Sequence, residues 1–493
     1  MIKLSHLLPN YPLPLPEVPV TGLKLDSRQV AGGDVFVAVP GYQSDGRQFI
    51  DAALDAGAIA VLAESDSYGI EQRGSAIVIE VPQLKNELSF IAARFYQQPA
   101  QQMRVIGVTG TNGKTSVTYI VAQLLEALGE KSGVIGTTGS GFPGRLVPET
   151  HTTPDAIAVQ QRLSALRAEG AVNVAMEVSS HALVQRRVDA ISFAAGIATN
   201  ISRDHLDYHG TMANYAGAKR RLFTELDTQV SVLNADDSAV AAWLPDRTDS
   251  WRFATTPQNT KRSVWATDIH YTTTGTTFKA HIRVTDEVQE FAVSSPLLGG
   301  FNVFNVLAAM TTLCALKYSF AQVAQAVAEL QPIPGRMESF TAPQRPLVIV
   351  DYAHTPDALQ QVLQNLRRHC EGKLWCVFGC GGDRDRGKRP QMGQVAAQYA
   401  DQVVVTDDNP RTEPPEQIVH DIMTGIHQRQ HVQVQHGRRD AVAAAIAAAA
   451  PQDIVLLAGK GHEDYQIIGR ERVDYNERAW VAEQMQQSVE VRS

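Results

Sequence analysis

Gly110-Thr111-Asn112-Gly113-Lys114-Thr115-Ser116 follows a short apolar run, Arg104-Val105-Ile106-Gly107-Val108. After it, Val117, Ile120, Val121, Leu124, Leu125 and Leu128 recur at helical spacing, and Gly129 ends the pattern. Strand, glycine loop, lysine, hydroxyl and helix together form the layout of a nucleotide-phosphate cradle. Glycines let backbone N–H groups approach phosphate oxygens, and the helix N-terminus adds a favourable dipole. Lys114 can bridge the terminal phosphates and Thr115 is placed for Mg²⁺. The general phosphate-loop pattern has a glycine where Val108 stands, so this is a variant loop. An ordinary glycine-rich turn would not need a lysine and a hydroxyl at these positions.

Working outward, 493 residues are too many for one core and predict about three domains. A net charge of −8 argues against a nucleic-acid surface. The cysteines, Cys314, Cys370, Cys376 and Cys380, form no CxxC pair and read as reduced residues of a cytosolic protein. Prolines break the N-terminus from Pro9 to Pro19. The longest apolar run, Ala441 to Ala450, is too short to span a bilayer.

Up to about residue 100, strand-like pieces alternate with alanine-rich helices, which predicts a small α/β unit. Ser27, Tyr42, Gln43 and Ser44 there read equally well as binding-loop groups or as plain turn residues. A second block extends to about 335. Val172 to Glu177 reads as a buried strand ending in an acid that can help to hold Mg²⁺. Phe193 to Ala198 delivers Thr199, Asn200, Arg203, Asp204, His205, Asp207 and His209 to the same edge. By composition, Lys219, Arg220 and Arg221 are a solvated helix face. Asn302 and Asn305 open a helix, either as caps or as hydrogen-bonding groups for a base. After Pro332-Ile333-Pro334-Gly335 the strands and helices alternate regularly: Leu347–Val350, a helix from Asp357, Leu374–Phe378, a helix near Met392, Val403–Val405, a helix from Pro415, Val432–Val434, the alanine helix and Ile454–Leu457. This predicts a mostly parallel, doubly wound sheet. Polar clusters follow its strands at 351–357, 379–389, 407–411 and 459–463, the edge where such sheets bind ligands.

These motifs resemble those of the Mur ligases, ATP-dependent amino-acid ligases of peptidoglycan synthesis, over essentially the full chain. The resemblance rests on Gly110 to Ser116, Glu177-Val178-Ser179-Ser180-His181, Asp204 to Gly210, Gly335-Arg336-Met337-Glu338 and Asp351-Tyr352-Ala353-His354. It implies an α/β, three-domain Mur ligase architecture: an N-terminal UDP-substrate-binding domain (1–100), a central P-loop ATPase domain (101–334) and a C-terminal Rossmann-like amino-acid-binding domain (335–493). Within the family, Asp408-Asn409-Pro410-Arg411 and Gly459-Lys460-Gly461-His462-Glu463 are similar to the blocks of ligases that add meso-diaminopimelate to UDP-N-acetylmuramoyl-L-alanyl-D-glutamate.

The resemblance also implies roles. Gly110, Thr111, Asn112, Gly113, Lys114, Thr115 and Ser116 would cradle ATP, with Asn302 and Asn305 facing adenine and Arg336 and Asp351 contacting the nucleotide. Thr115 and Glu177 would serve one Mg²⁺, and His205 a second. Lys219 would be carbamylated, an anion that helps to position the second ion. Leu25, Ser27, Tyr42, Gln43 and Ser44 would hold the uridine nucleotide. His151, Thr152, Thr153, Ser179, Gln185 and Arg187 would hold the rest of the acceptor. Arg384, Asp408, Asn409, Pro410, Arg411, Gly459 and Glu463 would bind diaminopimelate. The reaction would pass through an acyl phosphate shielded from water by domain closure. A cytoplasmic monomer without nucleic-acid or membrane partners is expected. A ligase for another peptide position, a folylpolyglutamate synthase or a nucleotide-dependent switch would share the phosphate loop but would not need the 408–411 and 459–463 blocks.

Overall fold

The computed structural model describes residues 2–41, 44–244, 249–428 and 430–487. Its backbone divides into two units, Met1–Phe253 with Thr311–Tyr318, and Ala254–Met310 with Ser319–Ser493.

The first unit holds two sheets. In the N-terminal one, Gly22–Lys24, Asp34–Ala38, Ala60–Ser65 and Ala76–Pro82 run parallel in that order, and Gly69–Arg73 adds an antiparallel edge. The unbroken apolar run at 35–38 follows from burial on both faces. Val35 and Val37 enter one cluster with Leu62, Ile79 and Ile91, while Phe36 and Ala38 enter another with Val61 and Val78.

The second sheet of this unit runs Arg145–Val147, Gly139–Phe142, Ser132–Gly136, Asn173–Glu177, Arg104–Thr109, Phe193–Ala198, Ser231–Asn234 and Trp251–Ala254. Its first two pairings are antiparallel and the others parallel. The helix Lys114–Ala127 follows Arg104–Thr109, and Gly129 beyond its end has a positive φ, as the pattern predicts. The chain order around Arg104–Thr109 reverses, because Asn173–Glu177 lies on one side and Phe193–Ala198 on the other. Glu177 pairs with Val108 and Ala198 with Thr109. The phosphate loop, Glu177 and Thr199 therefore emerge side by side at a topological switch point.

In the second unit, Ser263–Thr272, Gly275–Arg283 and Val288–Ser295 form an antiparallel ribbon. The C-terminal sheet has the order Glu338–Phe340, Leu347–Asp351, Ile454–Ala458, Leu374–Phe378, Gln402–Val405 and Val432–Val434, antiparallel only at its first pairing. Each expected strand and helix of the doubly wound pattern is present. The alanine helix spans Arg438–Ala448, ending before Pro451. Ile349, Cys376, Val405 and Leu456 face one core, Val348, Val350, Val377 and Leu457 the other. Each such side chain contributes roughly 1.5–3 kcal/mol by leaving water. Thr355 caps the helix Pro356–Arg367 by accepting from Ala358 N, and Pro356 takes its first position. Among the described residues no helix is long and apolar enough to cross a membrane.

Candidate functional site

In the first unit, the phosphate loop is braced from behind by Thr199 and Asn200. Thr199 Oγ1 donates to Asn112 O (2.6 Å), Asn200 Oδ1 accepts from Asn112 N (2.9 Å), and Thr111 N donates to Asn200 O (2.8 Å). Gly110 has φ +144°, and a Cβ there would stand 1.9 Å from Thr199 Oγ1, so only glycine fits. Lys114 Nζ donates to Gly110 O (3.0 Å) and Thr111 O (2.8 Å), which curls its ammonium over the loop. Thr115 Oγ1 donates to Glu177 Oε1 at 2.9 Å. Glu177 is buried, and also receives Thr137 N at 2.8 Å and Thr137 Oγ1 at 3.2 Å.

Lys219 departs from the solvated-face reading of its sequence neighbourhood. It is 1% exposed, and its Nζ donates to Gly110 O at 2.7 Å and lies 4.6 Å from the centre of the Tyr215 ring. Burial first, and then the Lys114 ammonium, hold its pKa well below the usual lysine range, with Asp204 opposing. Composition misplaces this residue because Lys219 turns toward the loop, which composition does not record. His205 has φ +51° and precedes the short helix Leu206–His209. Its ring lies 4.9 Å from that of His181. Burial, then His205 and His209, push His181 down to about 4.

A hydrogen-bonded cluster next to Glu177 joins several of the residues expected to hold the acceptor. Arg187 donates to Thr153 O (2.6 Å) and to Gln185 Oε1 (2.6 and 3.0 Å). Thr153 Oγ1 meets Ser179 Oγ at 3.3 Å, and Thr152 Oγ1 accepts from Thr137 Oγ1 at 3.2 Å. His151 Nδ1 meets Thr150 Oγ1 at 2.9 Å. Ser27 opens the 3₁₀ turn Ser27–Gln29 with Leu25 just before it, and Ser44 O accepts from Gly41 N at 2.9 Å. Tyr42 and Gln43 lie outside the described residues.

In the second unit, Asp351 ends its strand and accepts Met337 N and Ala353 N, each at 2.8 Å. Burial raises its pKa, and the Arg336 guanidinium opposes the rise. Arg336 lies 4.9 Å from the centre of the Tyr352 ring. Asn302 and Asn305 are buried within the helix Gly300–Ala315. Asn302 Nδ2 donates to Leu298 O (2.7 Å) and Asn305 Nδ2 to Asn302 Oδ1 (2.8 Å). A helix cap would accept from a backbone N–H, so neither side chain serves as one.

The 379–389, 408–411 and 459–463 segments interlock at the sheet's C-terminal edge. Arg411 has φ +53°, and its NH1 donates to Gly382 O at 2.9 Å and to Asn409 O at 3.4 Å. A Cβ on Gly381 would lie 2.8 Å from Arg411 NH1 and 3.6 Å from Arg384 Cγ, so both arginine chains pass that glycine; Arg384 itself is exposed. Pro410 O accepts from Glu413 N at 3.2 Å. Gly459 N donates to Asp351 O at 3.0 Å. Asn409 Nδ2 donates to Glu463 Oε2 at 3.1 Å, and Asp408 pairs with Lys460 at 3.0 Å. Behind them, Arg389 is fully buried and makes two 3.0 Å bonds to Glu413 and one of 2.8 Å to Asp421. Sequence reasoning assigned no role to Lys460, Arg389 or Glu413. The available signal was a charge within or beside a turn after a buried strand, which is more often solvated.

The donor set suits Mg²⁺ in the first unit. Thr115 and Glu177 offer a hydroxyl and a carboxylate 2.9 Å apart, hard oxygen ligands beside a phosphate cradle. Among the described residues no group of three or more His, Cys, Asp or Glu side chains forms a metal cage.

Family models match three successive parts of the chain: "Mur ligase family, catalytic domain" at residues 19–96, "Mur ligase middle domain" at 108–313, and "Mur ligase, glutamate ligase domain" at 335–461. A UDP-N-acetylmuramoyl-L-alanyl-D-glutamate–2,6-diaminopimelate ligase of Vibrio vulnificus (strain YJ016) is 46% identical over 469 residues, 94% of each chain. A solved structure of a ligase of that name is 37% identical, with TM-score 0.73 over 99% of both chains. The ADP- and AMPPCP-complexed folylpolyglutamate synthase of Mycobacterium tuberculosis shares the fold, with 19% identity and TM-score 0.60 over 76% of this chain and 92% of that one. The resemblance carried by the motifs thus extends along the whole sequence, and the chain belongs to the Mur ligase family.

Proposed function

We propose that this chain is the ATP-dependent ligase that joins meso-diaminopimelate to the side-chain carboxylate of the D-glutamate in UDP-N-acetylmuramoyl-L-alanyl-D-glutamate. The reading fits the 46% identical relative of that name. The observation that carries the substrate choice is Arg411. Backbone carbonyls occupy its NH1, and among the described residues no hydrogen bond engages its Nε or NH2. That leaves donors for a carboxylate beside Asp408 and Glu463, whose charge suits an ammonium. Diaminopimelate carries both groups at its far end, whereas lysine carries only the ammonium.

The γ-phosphoryl of ATP passes to the D-glutamate carboxylate and gives an acyl phosphate and ADP. An amine of diaminopimelate attacks that carbonyl, a proton leaves the nitrogen, and phosphate departs as the amide forms. Lys114 neutralises charge on the transferring group, and the Gly110–Ser116 backbone orients it. Mg²⁺, when held by Thr115 and Glu177, supplies further positive charge there; His205 and a carbamylated Lys219 would hold a second ion. The pKa of Lys219 supports this, since only a neutral amine adds carbon dioxide. Arg187, Gln185, Thr152, Thr153, Ser179 and His151 are assigned to the acceptor, Leu25, Ser27, Tyr42, Gln43 and Ser44 to its uridine nucleotide. Asn302 and Asn305 are assigned to the adenine of ATP, and Arg336 and Asp351 to the nucleotide. Arg384, Asp408, Asn409, Pro410, Gly459 and Glu463 complete the amino-acid site. The division into domains 1–100, 101–334 and 335–493, a monomeric state and action in the cytoplasm belong to the same proposal.

A competition assay of meso-diaminopimelate against lysine tests the assignment. The unmodified enzyme is expected to prefer meso-diaminopimelate by roughly two to four powers of ten, as for sites built around a polar group that the competitor lacks. Arg411→Ala is expected to lower kcat/KM for meso-diaminopimelate far more than for lysine, with the KM of ATP and of the UDP-substrate nearly unchanged. Equal use of both amino acids, or equal loss of both activities, would refute it.

A further inference from the structure

Lys460 is fully buried, yet the ligation steps above do not use it. Its Nζ lies 2.7 Å from Asn409 Oδ1, 2.9 Å from Tyr465 O, 3.0 Å from Asp408 Oδ1 and 3.2 Å from Glu463 Oε2. One ammonium therefore touches the 408–411 block, the 459–463 block and the start of the hairpin Tyr465–Ile468 and Glu471–Asp474. The hairpin in turn grips the backbone of the 408–411 block. Gln466 Nε2 donates to Asp408 O (2.7 Å), Arg411 N to Ile467 O (3.0 Å), and Gly469 N to Arg411 O (2.8 Å).

These contacts fix the orientation of the Asn409 carboxamide. Its Oδ1 accepts from both Lys460 Nζ and Ile467 N (2.9 Å), which fills its acceptor capacity, and one Nδ2 hydrogen is spent on Glu463. A single Nδ2 hydrogen remains for a ligand. The charges are also set. Asp408 and Glu463 are two carboxylates, and the buried ammonium neutralises one. Burial would raise the Asp408 pKa, but Lys460, with Arg438 behind it, outweighs burial and keeps the carboxylate ionised. A buried ion pair is seldom the cheapest way to fill a core, since an apolar side chain of similar volume often does as well. Order among groups that meet a ligand is what this one adds.

We propose that Lys460 is a positioning residue for the amino-acid site: its ammonium holds Asn409, Asp408 and Glu463 in one arrangement and leaves them one net negative charge for the ammonium of the incoming amino acid. Lys460 itself does not touch the substrate. This rests on the reading that Asp408, Asn409 and Glu463 receive diaminopimelate.

Steady-state kinetics on the full chain tests it, with Lys460→Met, Asn409→Leu and the double variant. Lys460→Met is expected to raise the KM of meso-diaminopimelate roughly 10- to 100-fold while the KM of ATP and of the UDP-substrate stay within about twofold. The double variant is expected to be no worse than the worse single variant, because both disturb one arrangement. An unchanged KM for meso-diaminopimelate, a parallel rise in all three KM values, or multiplied effects in the double variant would overturn the proposal. If Lys460→Met alone does not fold, the double variant, which removes donor and acceptor together, is compared with Asn409→Leu. A KM of meso-diaminopimelate that is equal, or raised alone, then supports the proposal, and a parallel rise in the KM of ATP or of the UDP-substrate overturns it. Arg411→Ala runs in parallel. If it leaves the KM of meso-diaminopimelate unchanged, the substrate reading fails; if it raises that KM while Lys460→Met does not, only the role of Lys460 fails.

Discussion

At the scale of single residues, burial decides chemistry that residue type leaves open. Lys219 looks like surface charge, but burial, and then the Lys114 ammonium, hold its pKa well below the usual lysine range. Lys219→Ala is expected to lose ligase activity by at least about tenfold, and a short carboxylic acid is expected to restore part of it by supplying the missing anion. A fully active alanine variant would return Lys219 to a packing role. His462 shows the same physics as a stability effect. Burial, then the guanidinium groups of Arg336 and Arg478, push it from 6.5 down to about 4. The unfolded chain therefore binds a proton that the folded one refuses. The stability contributed by neutral His462 is present above pH 6.5 and is lost as pH falls from 6.5 toward about 4. Thermal melts over that window are expected to steepen in their decline, and His462→Gln is expected to flatten part of it. An identical pH slope in the variant would show that His462 does not contribute.

At the scale of elements, the loops after parallel strands are held by backbone approaches that only small residues permit. Gly335 has φ +65°, and a Cβ on it would lie 2.1 Å from His462 N and 2.2 Å from Gly461 C, both backbone atoms. Those atoms belong to the 459–463 turn and cannot swing aside as a side chain would. Gly335→Ala is expected to cost about 3 kcal/mol or more, from the left-handed backbone together with overpacking. Gly74→Ala is the control. It has φ +62° with nothing within 4 Å of the added carbon, so only the backbone cost of about 1–2 kcal/mol applies. Urea unfolding of both variants measures the difference, and equal losses would show that the Gly335 contact relaxes. The alternating strands of the C-terminal sheet were readable because each is short, apolar and followed by turn residues. The ribbon 263–295 is not legible in the sequence pattern, although Thr276, Phe278, Ala280 and Ile282 alternate with more exposed neighbours. Its threonines and charged residues diluted the apolar signal that marks a strand.

At the scale of the whole molecule, separate cores serve the separate sheets, and buried ion pairs lock the last segments of chain to the C-terminal one. Arg438 and Glu477 are both fully buried, with bonds of 2.6 and 2.9 Å between them. Arg438 also donates to Ala458 O at 3.0 Å, and Tyr475 Oη donates to Glu477 at 2.8 Å. The pair thus ties the helix Arg438–Ala448, the end of the strand Ile454–Ala458 and the terminal helix Glu477–Gln487 together. Glu477→Leu alone leaves a buried unpaired guanidinium and is expected to cost about 3–5 kcal/mol. Arg438→Met with Glu477→Leu is expected to recover most of that loss. Chemical denaturation followed through Trp480, which lies on the terminal helix, measures both. A double variant as unstable as the single one would mean that the pair is irreplaceable in the packing.

The sequence by itself determined the class of fold, the glycine loop at 110–116 and the 408–411 and 459–463 motifs. These are local features: strand and helix periods, a glycine pattern, and motifs in which neighbours along the chain act together. Tertiary structure alone decided which charges are buried. Glu177 meets Thr115 from sixty-two positions away, Lys219 reaches Gly110 from a hundred and nine, and Lys460 finds Asn409 across fifty-one. Composition assigns such residues to solvent, because most lysines and arginines are there. The sheet overrides it by bringing the ends of non-consecutive strands to one edge, where each buried charge has its partners and is removed from water. The burial of Lys219, the fixed carboxamide of Asn409 and the role of Lys460 all follow from that convergence, and no window along the chain contains it.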